Sequence, residues 1–247
     1  MATTKLVQEI LRRSMLHPFF SYFGSKYRMA KHYPEPSFDV IIEPFAGSAG
    51  YSLLYPESQV ILYDNYEPIV MLWDYLIKVK KEEILNLPLD DNGHEFCKEH
   101  PISDCKIPHE AKILIGFWLT ESQTSSSRYP LSKSRGGNWT DRKRSLVANQ
   151  VELIKHWKVE KKSYDEIENQ EATWFVDPPY SQAGKRYRKN TIDYSHLATW
   201  CQERKGQTIV CEQSGADWLD FSTFKKNTNA SNKKYEEVVW INPVPTK

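Results

Sequence analysis

The apolar residues of this chain fall into two patterns. Short unbroken runs, Val40–Ile42 in "FDVIIEPF" and Val60–Tyr63 in "QVILYDN", predict strands buried on both faces, and strand texture returns at Thr173–Val176 in "TWFVDPPY" and at Gln207–Cys211. Helical spacing appears at Leu6, Val7, Ile10 and Leu11, which predicts an N-terminal helix over 6–13. It returns through "EPIVMLWDYLIKVKKEEIL", where Pro68 suits a first helical turn. "YSLLYP" supplies a short helix between the first two strands, and Pro34 and Pro36 end a helix within "HPFFSYFGSKYRMAKHYPEP". Tyr235–Ile241 alternates in the manner of a late edge or antiparallel strand.

Strand, small-residue loop, helix, strand, helix is the order of a βαβ nucleotide-binding unit. From 83 to 171 the texture turns to polar loops, helical pieces and the Ser/Arg/Gly-rich stretch "TESQTSSSRYPLSKSRGGNWTDRKRS", after which strand patterns resume. The expected fold is therefore α/β, with a Rossmann-like sheet built from 1–82 and 172–247 and a mainly helical insertion over 83–171.

Composition changes this picture little. With 247 residues there is room for one large domain or a domain with an insertion, and 14 Tyr, 10 Phe and 8 Trp weigh against disorder. The net charge of +1 creates no global field, so a nucleic acid would have to be met by a local basic patch. The apolar runs are too short to span a membrane and the N-terminus lacks the pattern of a signal peptide, so a soluble cytoplasmic protein without membrane association is expected. Cys97, Cys105, Cys201 and Cys211 form no C-x-x-C pair, which fits reduced thiols. His94, Cys97, His100, Cys105 and His109 lie close in sequence, but at a spacing that matches no standard structural zinc site; no metal is expected.

Candidate chemistry sits at two strand ends. After the first strand, the loop Phe45-Ala46-Gly47-Ser48-Ala49-Gly50 would let a ligand approach the backbone closely. It matches neither G-x-G-x-x-G nor a phosphate-binding P-loop, which favours a cofactor with less phosphate. Asp64, closing the second strand, is placed either to accept hydrogen bonds from ribose hydroxyls or to cap a turn.

The second strand end is Asp177-Pro178-Pro179-Tyr180. Gly, Asn or Ser usually ends a buried strand cheaply, whereas two prolines make this turn rigid. Rigidity suits a reaction at a planar exocyclic amine, whose lone pair is delocalised into its ring. Acceptors aimed at its two hydrogens, the Asp177 carboxylate and the Pro178 carbonyl, would pull it toward a reactive tetrahedral shape, and the Tyr180 ring offers a face for a base flipped out of a helix.

These blocks resemble the Dam-like, D12-class family of DNA adenine-N6 methyltransferases. "PFFSYFGSKYRMA" is similar to that family's N-terminal block, "IIEPFAGSAG" to its cofactor loop and "TWFVDPPY" to its catalytic motif. Their order, with a long insertion before D-P-P-Y, is similar to the alpha arrangement, in which the insertion recognises the target sequence. The resemblance implies S-adenosylmethionine as cofactor. It implies that Tyr22 and Lys26 border it, that Glu43, Phe45, Ala46, Gly47, Asp64, Asn65 and Asp177 line it, and that Asp177, Pro178, Pro179 and Tyr180 hold the target adenine. One departure stands out: the family loop commonly reads F-x-G-x-G, whereas Ala49 occupies the second glycine position here. If that position needs a positive φ, alanine carries strain of about 1 kcal/mol.

Duplex DNA is the implied partner. Arg128, Lys133, Arg135, Arg142, Lys143 and Arg144 form a basic run suited to phosphates, with Asn138 and Trp139 able to reach bases, or the run is a solvated loop. Lys233 and Lys234 would sit near DNA by the same resemblance. Cytosine N4, or adenine in RNA, would fit the same amine cage, as would a DNA-binding relative that has lost catalysis. A monomer is expected.

Overall fold

The computed structural model describes residues 15–90, 100–120, 124–127, 139–181, 192–228 and 234–242. The helix expected over 6–13 lies outside them. Two compact units are interleaved along the chain: Met1–His32, Gly47–Ser58 and Glu67–Val159 form one, and Tyr33–Ala46, Gln59–Tyr66 and Glu160–Lys247 the other.

The second unit holds a seven-stranded sheet, all but the first two residues of one of its strands. Its strands are β1 (Val40–Glu43), β2 (Gln59–Asp64), β3 (Lys158–Lys161), β4 (Ala172–Val176), β5 (Gly206–Gln213), β6 (Ser222–Thr228) and β7 (Lys234–Ile241), in the order β3-β2-β1-β4-β5-β7-β6. β1 runs parallel to β2 and β4, β4 runs parallel to β5, and β7 is antiparallel to both β5 and β6. The four expected strands are all present, because each apolar run is long enough to be covered on both faces; β4 is buried at every position. This is the α/β, Rossmann-like sheet expected from the sequence.

Two strands were not visible in the hydrophobic pattern. β3, "KVEK", lies within the 83–171 stretch read as insertion and closes one edge of the sheet with mostly exposed residues. β6 covers β7 on the other side, so β7 is antiparallel as expected but is not itself the edge. Edge strands need few apolar residues and gain from lysines that block further pairing, so neither strand leaves an apolar signature.

The helices described are α1 (Tyr27–Ala30), α2 (Glu67–Lys78), α3 (Lys81–Leu85), α4 (His109–Thr120), α5 (Asp141–Gln150) and α6 (Tyr194–Gln202). α6 belongs to the sheet's unit. Asp193 caps it by accepting from the Ser195 and His196 amides, and Leu197, Trp200 and Cys201 join Ile42, Trp174, Val176 and Val210 in one buried cluster.

In the first unit, α2 packs on α4 and α3 on α5. Its centre is aromatic: Phe20 lies edge-on to Trp73 with 5.6 Å between ring centroids and tilted on Phe117 at 5.3 Å. Within this unit, Gln150 bonds both backbone groups of His17, tying the end of α5 to the first described segment. No described helix is long and apolar enough to cross a membrane.

Gly206, which opens β5, has φ of +98°, and a Cβ there would stand 2.3 Å from the Ala172 carbonyl oxygen. Relief would require β4 and β5 to part. Gly206→Ala should therefore cost more than about 2 kcal/mol, read as a lowered urea midpoint at unchanged slope.

Candidate functional site

In the sheet the strand order reverses between β1 and β4, and at such a switch point an α/β sheet opens a crevice beyond its carboxyl ends. Glu43 ends β1 there, only 2% exposed. The D-P-P-Y turn leaves β4 beside it, since the two strands run in parallel register with Ile42 beside Trp174. One strand further out, Asp64 ends β2, where its Oδ1 accepts from the Tyr66 amide at 2.8 Å. The turn-cap role weighed for this aspartate is thus real for one oxygen. Ala46 is buried, and its amide bonds the Tyr63 carbonyl at 2.9 Å, which holds the start of the loop against β2. Phe45 is half-buried, with its ring 5.7 Å from that of Tyr164.

Three consecutive residues of the turn are tied to the rest of this unit. The Tyr194 hydroxyl, at the start of α6, donates to the Pro179 carbonyl. The Tyr180 hydroxyl donates to Oε1 of Glu237, which also accepts from Tyr33 at 3.4 Å. The Ser181 amide donates to Oε2 of Glu212 at 3.0 Å. Asp177 is half-buried, with Oδ1 shielded from solvent.

Burial, and after it the negative charges of Asp177 and Glu237, hold the Tyr180 phenol well above its ordinary value, so it remains a donor. Tyr33 is raised in the same way, by burial first and then by Cys211 and Glu237. Tyr194, Glu212 and Glu237 were not singled out in the sequence. The signal that could have found the two acids is a carboxylate inside a buried strand, as in "IVCEQ" and "YEEVVW".

The remainder of the glycine loop belongs to the other unit. Gly47 has φ of +45°, its carbonyl accepts from the Trp73 indole at 2.9 Å, and a Cβ on it would come within 3.1 Å of the Tyr22 ring. Gly50 needs no special φ; a Cβ there would stand 2.7 Å from the Tyr27 amide nitrogen and 3.0 Å from Lys26 backbone, so glycine is required by close approach. Lys26 is 8% exposed, and its ammonium bonds the Gly24 carbonyl at 3.2 Å. Ala49 has φ of +50°, the only positive value among described non-glycine residues. The strain conditionally expected at this departure from F-x-G-x-G is therefore present.

The basic run divides. Arg128, Lys133, Arg135, Asn138 and Lys233 lie outside the described residues, as do His94 and Cys97 of the His/Cys stretch; Lys234 opens β7. Arg142 is exposed on α5. Trp139, read as able to reach bases, is wholly buried just before α5, and its backbone carbonyl accepts from the Asp90 amide. Arg144 bonds the Leu87 carbonyl at 2.9 Å and Asp141 at 2.8 Å, and Lys143 places its ammonium 4.5 Å from the centre of the Trp118 ring. These three side chains stabilise their own unit.

No family model matches the chain, and neither does any curated protein. Among solved structures, it is similar to one described as "Putative methyltransferase yhhF from Escherichia coli", at 9% identity and a TM-score of 0.34, over 81% of this chain and 74% of that one. Nothing about the chemistry of this chain follows from a likeness at that level.

Two outcomes are expected from this geometry. Ala49→Gly should change stability by less than about 0.5 kcal/mol, because relief of left-handed strain offsets the lost methyl burial and the greater freedom of the unfolded chain. The same change at Ala148, buried in α5, should cost about 1 kcal/mol or more; urea unfolding of both variants checks the contrast. Tyr164 and Tyr194 are pushed up to about 12, mainly by burial, and Tyr33 and Tyr180 are also raised. Their protonated forms are favoured by folding, so stability should be flat below the unfolded value of about 10 and fall as pH rises above it. Unfolding free energies measured across that range, with phenolate absorbance, test this.

Proposed function

We propose that the protein is an S-adenosylmethionine-dependent DNA adenine-N6 methyltransferase that acts on a base flipped from duplex DNA. The observation that carries this reading is the rigid D-P-P-Y turn at the β1/β4 switch point, beside the buried Glu43. The resemblance of "PFFSYFGSKYRMA", "IIEPFAGSAG" and "TWFVDPPY" supports the same reading, and it alone assigns Tyr22, Lys26 and Gly47 to the cofactor.

The residues at this end of the sheet fit that cofactor. Glu43, Asp64 and Asp177 make the edge rich in acceptors, which suits a cationic, phosphate-free molecule with ribose hydroxyls and disfavours a pyrophosphate. When bound, S-adenosylmethionine supplies an electrophilic methyl group. Asp64 and Asn65 would hold its ribose, while Glu43, Phe45 and Ala46 would line the remainder.

Asp177 does the central chemistry. Its carboxylate accepts a hydrogen bond from one N–H of the adenine amine and the Pro178 carbonyl accepts one from the other, which localises the nitrogen lone pair. Tyr180 presents its ring to the base. The prolines hold both acceptors in place beforehand, so little ordering remains to be done at the reaction. Attack by the amine needs no covalent enzyme intermediate, and Asp177 need not take the proton first. Arg142 is an exposed cation available to a phosphate.

Labelled S-adenosylmethionine, unmethylated duplex DNA and nucleoside mass analysis test this directly. N6-methyladenine should appear with wild type and fall about 100-fold or more with Asp177→Ala. Asp64→Ala should weaken equilibrium cofactor binding about tenfold or more. Methylation of cytosine N4 or of RNA adenine would redirect the substrate assignment; cofactor binding without transfer to any nucleic acid would overturn it.

A further inference from the structure

Glu212 and Glu237 come from neighbouring strands, yet they stand on opposite faces of the sheet. The β5–β7 register pairs Glu212 with Val238 and Gln213 with Glu237, and directly paired residues share a face while successive residues alternate. Glu212 therefore shares the face of Val210, which packs with Trp174 and Trp200, whereas Glu237 shares the face of Cys211 and receives Tyr33. Both acids are buried, at 0% and 3% exposure. The turn reaches both: Tyr180 is bonded to the acid on one face and Ser181, the next residue, to the acid on the other.

We infer that Glu212 and Glu237 are positioning residues that grip the D-P-P-Y turn from the two faces of the sheet and thereby fix the direction in which the Tyr180 ring points. Its use in catalysis rests on the reading of D-P-P-Y proposed above; the grip itself does not. Glu212 is held rigid for this task. Besides the Ser181 amide, Oε2 accepts from the Trp218 indole at 3.1 Å and Oε1 from the Gln213 amide at 2.9 Å. Three N–H donors satisfy its charge and leave the carboxylate little freedom to turn. Glu237 is held from below as well, because Tyr33, its second donor, stacks on Phe224 with 4.6 Å between ring centroids and lies edge-on to Phe175. The hydroxyl oxygen of Tyr180 lies on the axis of its second side-chain torsion, so anchoring it on Glu237 fixes the direction of the ring axis, which the Pro179 backbone alone does not, and the in-plane preference of a phenolic O–H favours one ring plane.

Amide exchange read by NMR in Glu212→Gln and Tyr180→Phe, together with methyl-transfer kinetics on duplex DNA, tests this. Tyr180→Phe keeps the ring and removes only the hydroxyl, so it should remain folded even if Glu212→Gln does not. The Ser181 amide, although its residue is exposed, should exchange slowly in wild type and at least tenfold faster in Glu212→Gln, with the β4 amides unchanged. In Tyr180→Phe, kcat should fall about tenfold with cofactor affinity unchanged, and Glu237→Gln added to that variant should lower kcat no further. A purely structural role would instead speed exchange throughout β4 and β5 and produce additive losses.

Unaltered Ser181 exchange in a folded Glu212→Gln protein would overturn the grip. Wild-type kcat in Tyr180→Phe would overturn its positioning role. Faster Ser181 exchange in a protein whose wild type methylates no nucleic acid would support the grip and overturn the methyltransferase reading instead.

Discussion

The parallel pairing of β1 with β4 is the constraint on which the rest of this site depends. Two chain segments more than a hundred residues apart meet there in register, so Glu43 and the D-P-P-Y turn leave the sheet at neighbouring strand ends. A parallel pair must be buried on both faces to be stable, which is why both strands are mainly apolar, with Thr173 the buried polar exception near the start of β4, and why the acids Glu43 and Asp177 fall at the carboxyl edge. Reactive groups thus gather where the hydrophobic run stops, on backbone that the sheet holds still.

The turn that leaves β4 is rigid for two independent reasons. The prolines restrict the backbone torsions, and tertiary hydrogen bonds on Pro179, Tyr180 and Ser181 fix what the prolines leave open. Two of those bonds end on carboxylates that are expensive to bury. An apolar residue at either position would serve stability as well or better, so the geometry these acids impose is the better account of them than any energy they add. The gathering of Glu43, Asp64, Asp177, Glu212 and Glu237 in one unit also concentrates carboxylates there in a way that the balanced net charge conceals.

The loop after β1 and the basic run show how far residue identity can mislead. Gly50, part of the loop read as leaving room for a ligand, is needed because the chain's own backbone passes within contact distance of it, while the neighbouring Ala49 takes the left-handed conformation that glycine would accept more easily. Trp139, Lys143 and Arg144 looked like a surface for nucleic acid. They sit at the start of a capped helix, where Thr140 accepts from the Lys143 amide and the side chains are drawn into ring, carbonyl and carboxylate contacts of their own unit. A run of like charges reports composition, and only packing tells which charges face solvent.

By itself, the sequence determined the central strands, the alternation of strand and helix, and the D-P-P-Y turn. Each is encoded locally, by an unbroken apolar run, by helical spacing, or by prolines that act on their own backbone. The edge strands β3 and β6 were not legible, because a strand covered on one side or not at all needs no apolar signature. Nor were Glu212 and Glu237, whose partners lie 31 and 57 residues away in sequence. Their roles arise from strand register, which sets the face each acid occupies, and register is a property of two strands together. Only the tertiary structure decided it.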